Sequence, residues 1–447
     1  MATLSRVLTV VALVAVIAIL AGIAWLYSTP PALLRVGAGY TAKIVCSNVF
    51  LASRDPAEVL AVDVQAPGHP LLKLMKVDVD HRERRVSAAL LGVFAGNQAV
   101  YRDGLGCAVA PGGEAVAGAS QQAGMPASGT AAASWPDGAM VDSDQQVAAV
   151  LSDPAFTGPG MRAVLVMRGG RIIAEAYGEG FSDETPLLGW SMTKTVNAAI
   201  IGTLIQRGHL SLEERGLLPQ WHGDPRERIT LANLLAMEDG LAFNENYGSV
   251  TDVTQMLYLE RDMAGFAADA ALEAEPGTRF SYSSGTSVLL SRIWMNKFGA
   301  PGSAMSYPHE ALFEPLGMKS AIMETDAAGT FVGSSYMYAT ARDWARFALL
   351  LLRDGVWEGR RLLPEGFVAQ MSEPNNTSGG RYSRMQTWLP SEQDGLPEDS
   401  FFLQGHDGQT IAVIPSLDLA VLRLGLTPRR EGYDATPLVR EIVRLSR

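Results

Sequence analysis

The N-terminal segment places the strongest constraint on what this chain can form. Val7–Tyr27 contains 21 consecutive residues without a charge. As a helix, it would span about 30 Å, the thickness of the hydrocarbon core of a bilayer. Trp25 and Tyr27 lie at its end, where aromatic side chains favour the membrane interface. The segment predicts an uncleaved membrane anchor within residues 1–28, with the remainder of the chain exported to the periplasmic or extracellular side.

A cleaved signal peptide is the alternative interpretation, and it would give a secreted protein. The apolar region is long for a signal peptide, and it offers no A-x-A cleavage site. Both interpretations place Cys46 and Cys107, the two cysteines of the chain, in an oxidising compartment. We therefore predict one disulfide between them, with two separate buried thiols as the alternative.

Composition argues against several kinds of partner. The formal net charge of −11 disfavours nucleic acid, because contact with phosphates requires a basic surface. The six histidines show neither the H-x-H nor the H-E-x-x-H spacing of a metallohydrolase. Asp78, Asp80, His81 and Glu83 are interpreted as a solvated charged turn rather than as metal ligands. We expect no metal and no other cofactor.

Changes in composition predict three regions after the anchor. Residues 111–142 are rich in Ala, Gly, Ser and Pro without an apolar period, which is typical of a linker. Residues 143–447 are interpreted as one compact unit. Residues 29–110 form a small N-terminal region in which three apolar runs predict strands, at Lys43–Leu51, Val59–Val64 and Val86–Phe94.

The pattern of residues 143–447 predicts an α/β (α+β) fold. Ala163–Met167 and Ile172–Tyr177 form a hairpin through Arg168-Gly169-Gly170-Arg171. Helices are predicted at Ser191–Gln206, 230–238, 251–272, 341–353 and Leu438–Leu445, and further strands at Phe401–Leu403, Thr410–Ile414 and Leu419–Leu424. Strands at both ends with helices between them indicate one antiparallel sheet flanked by helices, beside a helical insertion.

Ser191-Met192-Thr193-Lys194 is the main candidate for catalysis. Residues three apart share one face of a helix, so the Lys194 amine can reach the Ser191 hydroxyl. A serine nucleophile needs a base, and lysine can serve if burial lowers its pKa from about 10.4. The apolar helix that follows favours such burial. An N-cap serine followed by an exposed lysine is the structural alternative.

Two later motifs offer partners for this pair. Tyr282, in Phe280-Ser281-Tyr282-Ser283-Ser284-Gly285, could share the proton that leaves Ser191, or it could be a core tyrosine. Gln404-Gly405-His406-Asp407-Gly408-Gln409 precedes a strand, and the N–H groups of Ser191 and Gln409 could form an oxyanion hole. Gly408 would let a substrate approach the backbone. His406 is either a substrate ligand or a turn histidine.

Taken in order, Ser191-x-x-Lys194, Tyr282-Ser283-Ser284 and His406-Asp407-Gly408 resemble the motifs of the serine β-lactamase and penicillin-binding-protein superfamily. The similarity covers about residues 145–447 and is nearest the branch of class C-like esterases and 6-aminohexanoate-dimer hydrolases. It implies a sheet domain, an all-helical subdomain and a groove between them. It also implies that Ser191 forms an acyl-enzyme, that Lys194 and Tyr282 carry the proton, and that water hydrolyses the intermediate.

Two departures from the superfamily pattern bear on the substrate. Ser284 replaces the Asn of the Tyr-x-Asn motif, and His406 replaces the Lys that meets the substrate carboxylate in β-lactam enzymes. Both changes disfavour β-lactams and favour an ester or an amide. Tyr247, in Asn244-Glu245-Asn246-Tyr247-Gly248, resembles a substrate-side tyrosine of the oligomer-hydrolase branch, with a loop-packing tyrosine as the alternative.

The sequence therefore predicts a serine hydrolase that cleaves a small-molecule ester or amide. An α/β-hydrolase triad is disfavoured, because Gly189-Trp190-Ser191-Met192-Thr193 lacks the second glycine of G-x-S-x-G. A β-lactamase, a cell-wall D-Ala peptidase-like enzyme and a catalytically silent penicillin-recognising module are the alternatives.

Overall fold

The computed structural model describes residues 2–114, 116–118 and 133–447. Its first helix, α1 (Ala2–Ser28), holds the apolar N-terminal segment. Over Arg6–Ser28 this helix is long and apolar enough to cross a membrane, and it is the single helix of that kind among the described residues. A membrane anchor and an export signal both fit a helix with these properties.

The N-terminal region consists of a long helix against a small sheet. Helix α2 (Ala32–Ala52) is followed by the short helix α3 (Pro56–Val59), which continues as a π-helical turn, and then by a 3-10 turn at Pro70–Leu74. The antiparallel sheet has the order β1-β2-β3-β4, with the strands β1 (Met75–Asp80), β2 (Arg85–Leu90), β3 (Phe94–Arg102) and β4 (Gly106–Val109).

Two of the three strands predicted in this region are wrong. Lys43–Leu51 lies inside α2, which is buried between the small sheet and a helix of the larger unit, so its apolar residues show no helical period. Val59–Val64 is helical, because the Asp55 side chain caps the backbone N–H of Glu58 at 2.9 Å and begins a helix there. Val86–Phe94 is a strand only as far as Leu90, where a turn leads to β3.

The larger unit begins after the predicted linker, of which residues 115 and 119–132 lie outside the described residues. Its helices are α4 (Gln145–Leu151), α5 (Pro154–Thr157), α6 (Thr193–Gln206), α7 (Leu231–Leu235), α8 (Asp252–Leu259), α9 (Met263–Ala268), α10 (Ser284–Met295), α11 (Pro301–Pro308), α12 (Glu314–Leu316), α13 (Ala341–Leu352) and α14 (Thr436–Ser446). Its strands are β5 (Met161–Arg168), β6 (Arg171–Tyr177), β7 (Leu187–Leu188), β8 (Ile322–Met323), β9 (Met337–Ala339), β10 (Val356–Trp357), β11 (Arg360–Arg361), β12 (Phe401–Gly405), β13 (Gln409–Ile414) and β14 (Leu419–Gly425).

A five-stranded antiparallel sheet with the order β12-β13-β14-β5-β6 forms the centre of this unit. The predicted hairpin is confirmed, with Arg168 opposite Arg171, and the three strands predicted near the C-terminus all belong to this sheet. Helix α4 packs on the sheet and on α14, and α13 packs on the other face against β5, β13 and β14. Helix α10 packs against α6, α7, α8, α9 and α11. The predicted α/β (α+β) fold with an antiparallel sheet and a helical part is therefore confirmed.

A disulfide and a buried ion pair secure α2. Cys46 on α2 is bonded to Cys107 on β4, as the sequence predicts. Lys43, also on α2, forms an ion pair with Glu324, which follows β8, and both side chains are almost completely buried. The Glu324 carboxylate also accepts hydrogen bonds from the Ser47 hydroxyl at 2.8 Å and from the Cys107 backbone N–H at 2.6 Å. The N-terminal region is thus joined to the larger unit through charged groups inside the core.

We expect Lys43→Met to destabilise the protein strongly, because it leaves the buried Glu324 carboxylate without its cation. Loss of one partner of a buried pair costs about 3–5 kcal/mol of unfolding free energy. The matched control is Lys297→Met, which removes a pair with Glu214 whose side chains are 31% and 29% exposed, and such a pair contributes about 0–1 kcal/mol. Urea denaturation of the full-length protein in detergent measures both values. Equal losses in the two variants would contradict a structural role for the buried pair.

Candidate active site

The catalytic candidates Ser191 and Lys194 lie where the chain enters helix α6. A 3-10 turn at Trp190–Met192 leads directly into this helix, and Lys194 occupies its first turn. Trp190 has a positive φ of 48°, an uncommon conformation for a bulky residue, immediately before the serine. The turn and the helix together bring the Lys194 Nζ atom to 3.2 Å from the Ser191 Oγ atom.

The Lys194 side chain is 1% exposed, and its amine contacts three neutral oxygen atoms. Besides Ser191, it donates to the Ser284 hydroxyl at 3.1 Å and to the Ser334 carbonyl at 3.0 Å. Burial lowers the pKa of Lys194 to about 8, and the negative charge of Glu245 opposes that change. The amine therefore releases its proton far more readily than a solvated lysine.

Tyr282 lies beside this pair, in the segment that leads into helix α10. The Lys194 Nζ atom is 4.7 Å from the centre of its ring, and the ring also contacts Trp388, with 5.2 Å between ring centres. Burial raises the pKa of the Tyr282 phenol above its usual value, although hydrogen bonding to Ser191 lowers it in part. The phenol is consequently protonated near neutral pH.

Glu245 is a member of the site that the sequence analysis did not identify as functional. Its two carboxylate oxygens accept hydrogen bonds from the Ser284 hydroxyl at 2.6 Å and from the Ser284 backbone N–H at 2.7 Å. Burial raises the pKa of Glu245, and the Lys194 ammonium and the Ser284 donors act in the opposite direction. Ser284 therefore connects this carboxylate to the lysine amine. In the sequence, the one indication that Glu245 belongs to the site was its position two residues before Tyr247, a predicted substrate contact.

His406 and Tyr247, both predicted substrate contacts, lie together on the other side of Ser191. Their ring centres are 5.3 Å apart, and the His406 ring lies 5.7 Å from that of Trp190. The His406 Nε2 atom is 3.3 Å from the Asp407 Oδ1 atom, and about half of the imidazole is exposed. Tyr247 follows Glu245 by two residues, and the Glu245 carboxylate accepts from the Ser284 hydroxyl, which contacts the Lys194 amine.

Gly408 and Gln409 occupy the turn between β12 and β13. Gly408 has a φ of 82°, and a side chain there would come within 2.8 Å of the Arg423 guanidinium, so close packing requires glycine at this position. Gln409 begins β13, and the β12–β13 hairpin contacts the 3-10 turn that contains Ser191. The two backbone segments of the predicted oxyanion hole are thus neighbours, while the roles of Gly408 and of both N–H groups stay predictions.

The described residues contain no group of three His, Cys, Asp or Glu side chains placed to hold a metal ion. The charged turn after β1 uses the Asp80 carboxylate to accept hydrogen bonds from the backbone N–H groups of Arg82, at 2.9 Å, and Glu83, at 3.0 Å. That carboxylate is engaged in closing the turn.

Comparison with known proteins places this site in a family. Residues 155–442 match the family described as Beta-lactamase. The 6-aminohexanoate-dimer hydrolase of Paenarthrobacter ureafaciens is 26% identical over 297 residues, which cover 60% of this chain and 72% of that protein.

Two solved structures share the fold. The penicillin binding protein from Bacillus halodurans superposes with a TM-score of 0.53 at 18% identity, covering 66% of this chain and 99% of that one. A family VIII carboxylesterase superposes with a TM-score of 0.51 at 16% identity, covering 64% of this chain and 91% of that one. The resemblance recognised from the motifs is therefore confirmed, and the chain belongs to the β-lactamase family of serine hydrolases.

Proposed function

We propose that this protein hydrolyses an ester or amide bond through an acyl-enzyme on Ser191, with Lys194 as the base and Tyr282 as a proton carrier. One observation carries the proposal: a buried lysine amine whose hydrogen-bond partners are neutral oxygens lies 3.2 Å from a serine hydroxyl at the start of a helix. Kinship with a 6-aminohexanoate-dimer hydrolase supports a linear amide or a related ester as the substrate.

The pKa values assign the two proton-carrying groups to different steps. A Lys194 amine with a pKa of about 8 is neutral in about one molecule in ten at pH 7, so it can accept the Ser191 proton as the hydroxyl oxygen attacks the carbonyl carbon. Tyr282 keeps its proton at that pH, because burial raises its pKa. It can therefore donate to the leaving group as the tetrahedral intermediate collapses, and the phenolate is reprotonated from Lys194.

The second half of the reaction uses the same groups. Water attacks the acyl carbon and its proton passes to Lys194, which then returns that proton to the departing Ser191 oxygen and regenerates the hydroxyl. The backbone N–H groups of Ser191 and Gln409 are proposed to stabilise the oxyanion in both halves. His406, Tyr247 and the backbone at Gly408 are proposed to hold the substrate beside the serine.

Membrane attachment through α1 is also part of the proposal, with the catalytic unit on the exported side. Its support is the candidate span Arg6–Ser28, which carries no charge after Arg6, and the disulfide Cys46–Cys107, which fits an oxidising compartment. A helix of this length spans a bilayer core.

Substitution of the nucleophile and the base tests the catalytic assignment. We expect Ser191→Ala to abolish both nitrophenyl-ester hydrolysis and labelling by a fluorophosphonate. Lys194→Arg should lower kcat/KM by about 10²–10⁴-fold, because the guanidinium cannot accept a proton. Lys297→Arg, at a surface lysine, is the control and should behave as wild type. Turnover of Lys194→Arg at the wild-type rate would reject lysine as the base.

A panel of substrates resolves the competing functions. Nitrophenyl esters, linear amide oligomers and a chromogenic cephalosporin are compared side by side with the Ser191→Ala variant as the blank. Preference for the cephalosporin would identify a β-lactamase instead. A failure of the wild-type protein to react with any substrate or with the fluorophosphonate would identify a silent module.

The pH dependence should follow the Lys194 titration. We expect kcat/KM to rise with pH up to about 8 and then to level off, because the base must lose its proton. Glu245→Gln removes a negative charge that raises the Lys194 pKa, so the rising limb of the pH profile should move to lower pH. The control is Glu238→Gln, which neutralises another buried carboxylate, one that accepts a hydrogen bond from Thr377. A limb that stays in place or moves to higher pH in Glu245→Gln would contradict this electrostatic role.

Fractionation tests the anchor. We expect the full-length protein to remain in the membrane pellet after an alkaline carbonate wash and to retain a peptide containing Val7–Tyr27 by mass spectrometry. A double substitution, Leu13→Arg with Val14→Arg, should release it, because charges at the centre of a span are costly. Recovery of a soluble protein that begins after residue 28 would instead establish cleavage.

A further inference from the structure

An apolar cavity of about 240 Å³ opens beside the catalytic residues. One wall comes from the family domain and includes Trp190, Tyr247, Tyr258 and His406. The opposite wall comes from the N-terminal region, and its apolar lining residues are Leu33, Val36, Leu71, Leu72 and Met75. The family match begins at residue 155, so this second wall is an addition to the shared domain.

The added wall is held firmly against the family domain. Gly39 of α2 faces α8 so closely that a side chain there would come within 2.8 Å of the Tyr258 carbonyl oxygen. The Asn97 side chain on β3 donates to the same carbonyl at 3.0 Å, and the Tyr40 and Tyr258 rings meet edge to face with 5.7 Å between their centres. These contacts fix α2 and β3 against α8.

The cavity is lined by residues that adjoin the proposed reaction centre. Trp190 precedes the nucleophile directly, and its ring contacts His406. Tyr247 borders the cavity and follows Glu245 by two residues, and the Glu245 carboxylate accepts from the Ser284 hydroxyl, which itself accepts from the Lys194 amine. A molecule bound to Ser191 could therefore extend an apolar group past Tyr247 and His406 into this space.

The size and lining of the cavity indicate what it holds. A dry apolar cavity of about 150 Å³ accommodates a benzene molecule, so the present volume suits a ring or an alkyl chain of medium length. Burying each methylene of such a chain favours binding. The lining residues Leu33 and Val36 also lie within eight residues of Ser28, the end of α1. Leu91 and Val93, also in the N-terminal region, expose apolar side chains. The cavity wall therefore begins close to where an anchored chain leaves the bilayer.

We propose that the N-terminal region supplies a binding pocket for an apolar chain of the substrate, so that the enzyme selects amphiphilic esters or amides over short ones. This inference rests on the proposed function of Ser191. The chain is carried either by the acyl group or by the leaving group, and the pocket requires only that it be apolar and fit the cavity.

Chain-length profiles test the pocket. Nitrophenyl alkanoates from acetate to dodecanoate vary the acyl side, and alkyl acetates from ethyl to decyl vary the leaving group. We expect the full-length wild-type protein to prefer a medium chain in one of these two series. Its kcat/KM for a medium chain should exceed that for the shortest chain by tenfold or more. Leu71→Trp and Leu33→Trp place a large side chain in the cavity and should reduce that ratio by tenfold or more.

Leu74→Trp is the matched control. It lies three positions from Leu71 in the same turn, but its side chain is 44% exposed and does not line the cavity. Its chain-length ratio should equal that of the wild type. A wild type without preference in either series, or an unchanged ratio in both Leu71→Trp and Leu33→Trp, would overturn the pocket while leaving the Ser191 chemistry intact.

A binding measurement separates the two proposals. Decanoate is titrated calorimetrically into Ser191→Ala protein held in nanodiscs, where no hydrolysis contributes. We expect saturable binding that Leu71→Trp weakens by tenfold or more and that Leu74→Trp leaves unchanged. If the wild type hydrolyses no ester, this titration still tests the pocket, and decanoate binding that is insensitive to Leu71→Trp would refute it.

Discussion

Desolvation of the Lys194 amine is the physical effect on which the proposed chemistry depends. An ammonium group buried among neutral oxygens loses hydration without gaining a carboxylate in direct contact, so its pKa falls toward the range in which it can accept a proton. The nearest negative charge, Glu245, acts through the Ser284 hydroxyl instead of binding the amine. The site thus combines a carboxylate that holds its partners in place with a lysine that can still become neutral.

A second buried lysine in the same chain illustrates the difference. Lys43 contacts the Glu324 carboxylate directly and joins α2 to the family domain. A direct ion pair suits a structural role, because each charge compensates the other inside the core. The same residue type therefore supports attachment at one position, while at the other its neutral partner atoms suit the proton transfer that we propose. The attachment has a consequence for the active site, because α2 and the segment after it form the wall that faces Tyr247 and His406.

Much of the larger unit could be predicted because its signals are local. The hairpin between β5 and β6 follows from two apolar runs and a Gly-Gly turn, and α13 repeats its buried residues at helical spacing. The secondary structure of the N-terminal region was harder to predict. Helix α2 is buried on nearly all sides, which removes the period that distinguishes a helix from a buried strand. The motifs also located Ser191, Lys194 and Tyr282, but they could not show that Glu245 reaches Ser284 across 39 positions in the chain.

The amino-acid sequence by itself determined the family, the candidate nucleophile with its lysine, the apolar N-terminal segment and the pair of cysteines. These features depend on residue type and on short spacings, which remain the same in any conformation of the chain. Only the tertiary structure decided that Lys194 loses contact with water and that the Glu245 carboxylate accepts hydrogen bonds from Ser284. It also decided that the N-terminal region lies beside the proposed reaction centre. Each of these depends on groups distant in sequence meeting in a low-dielectric interior, where burial and charge change the pKa of a side chain.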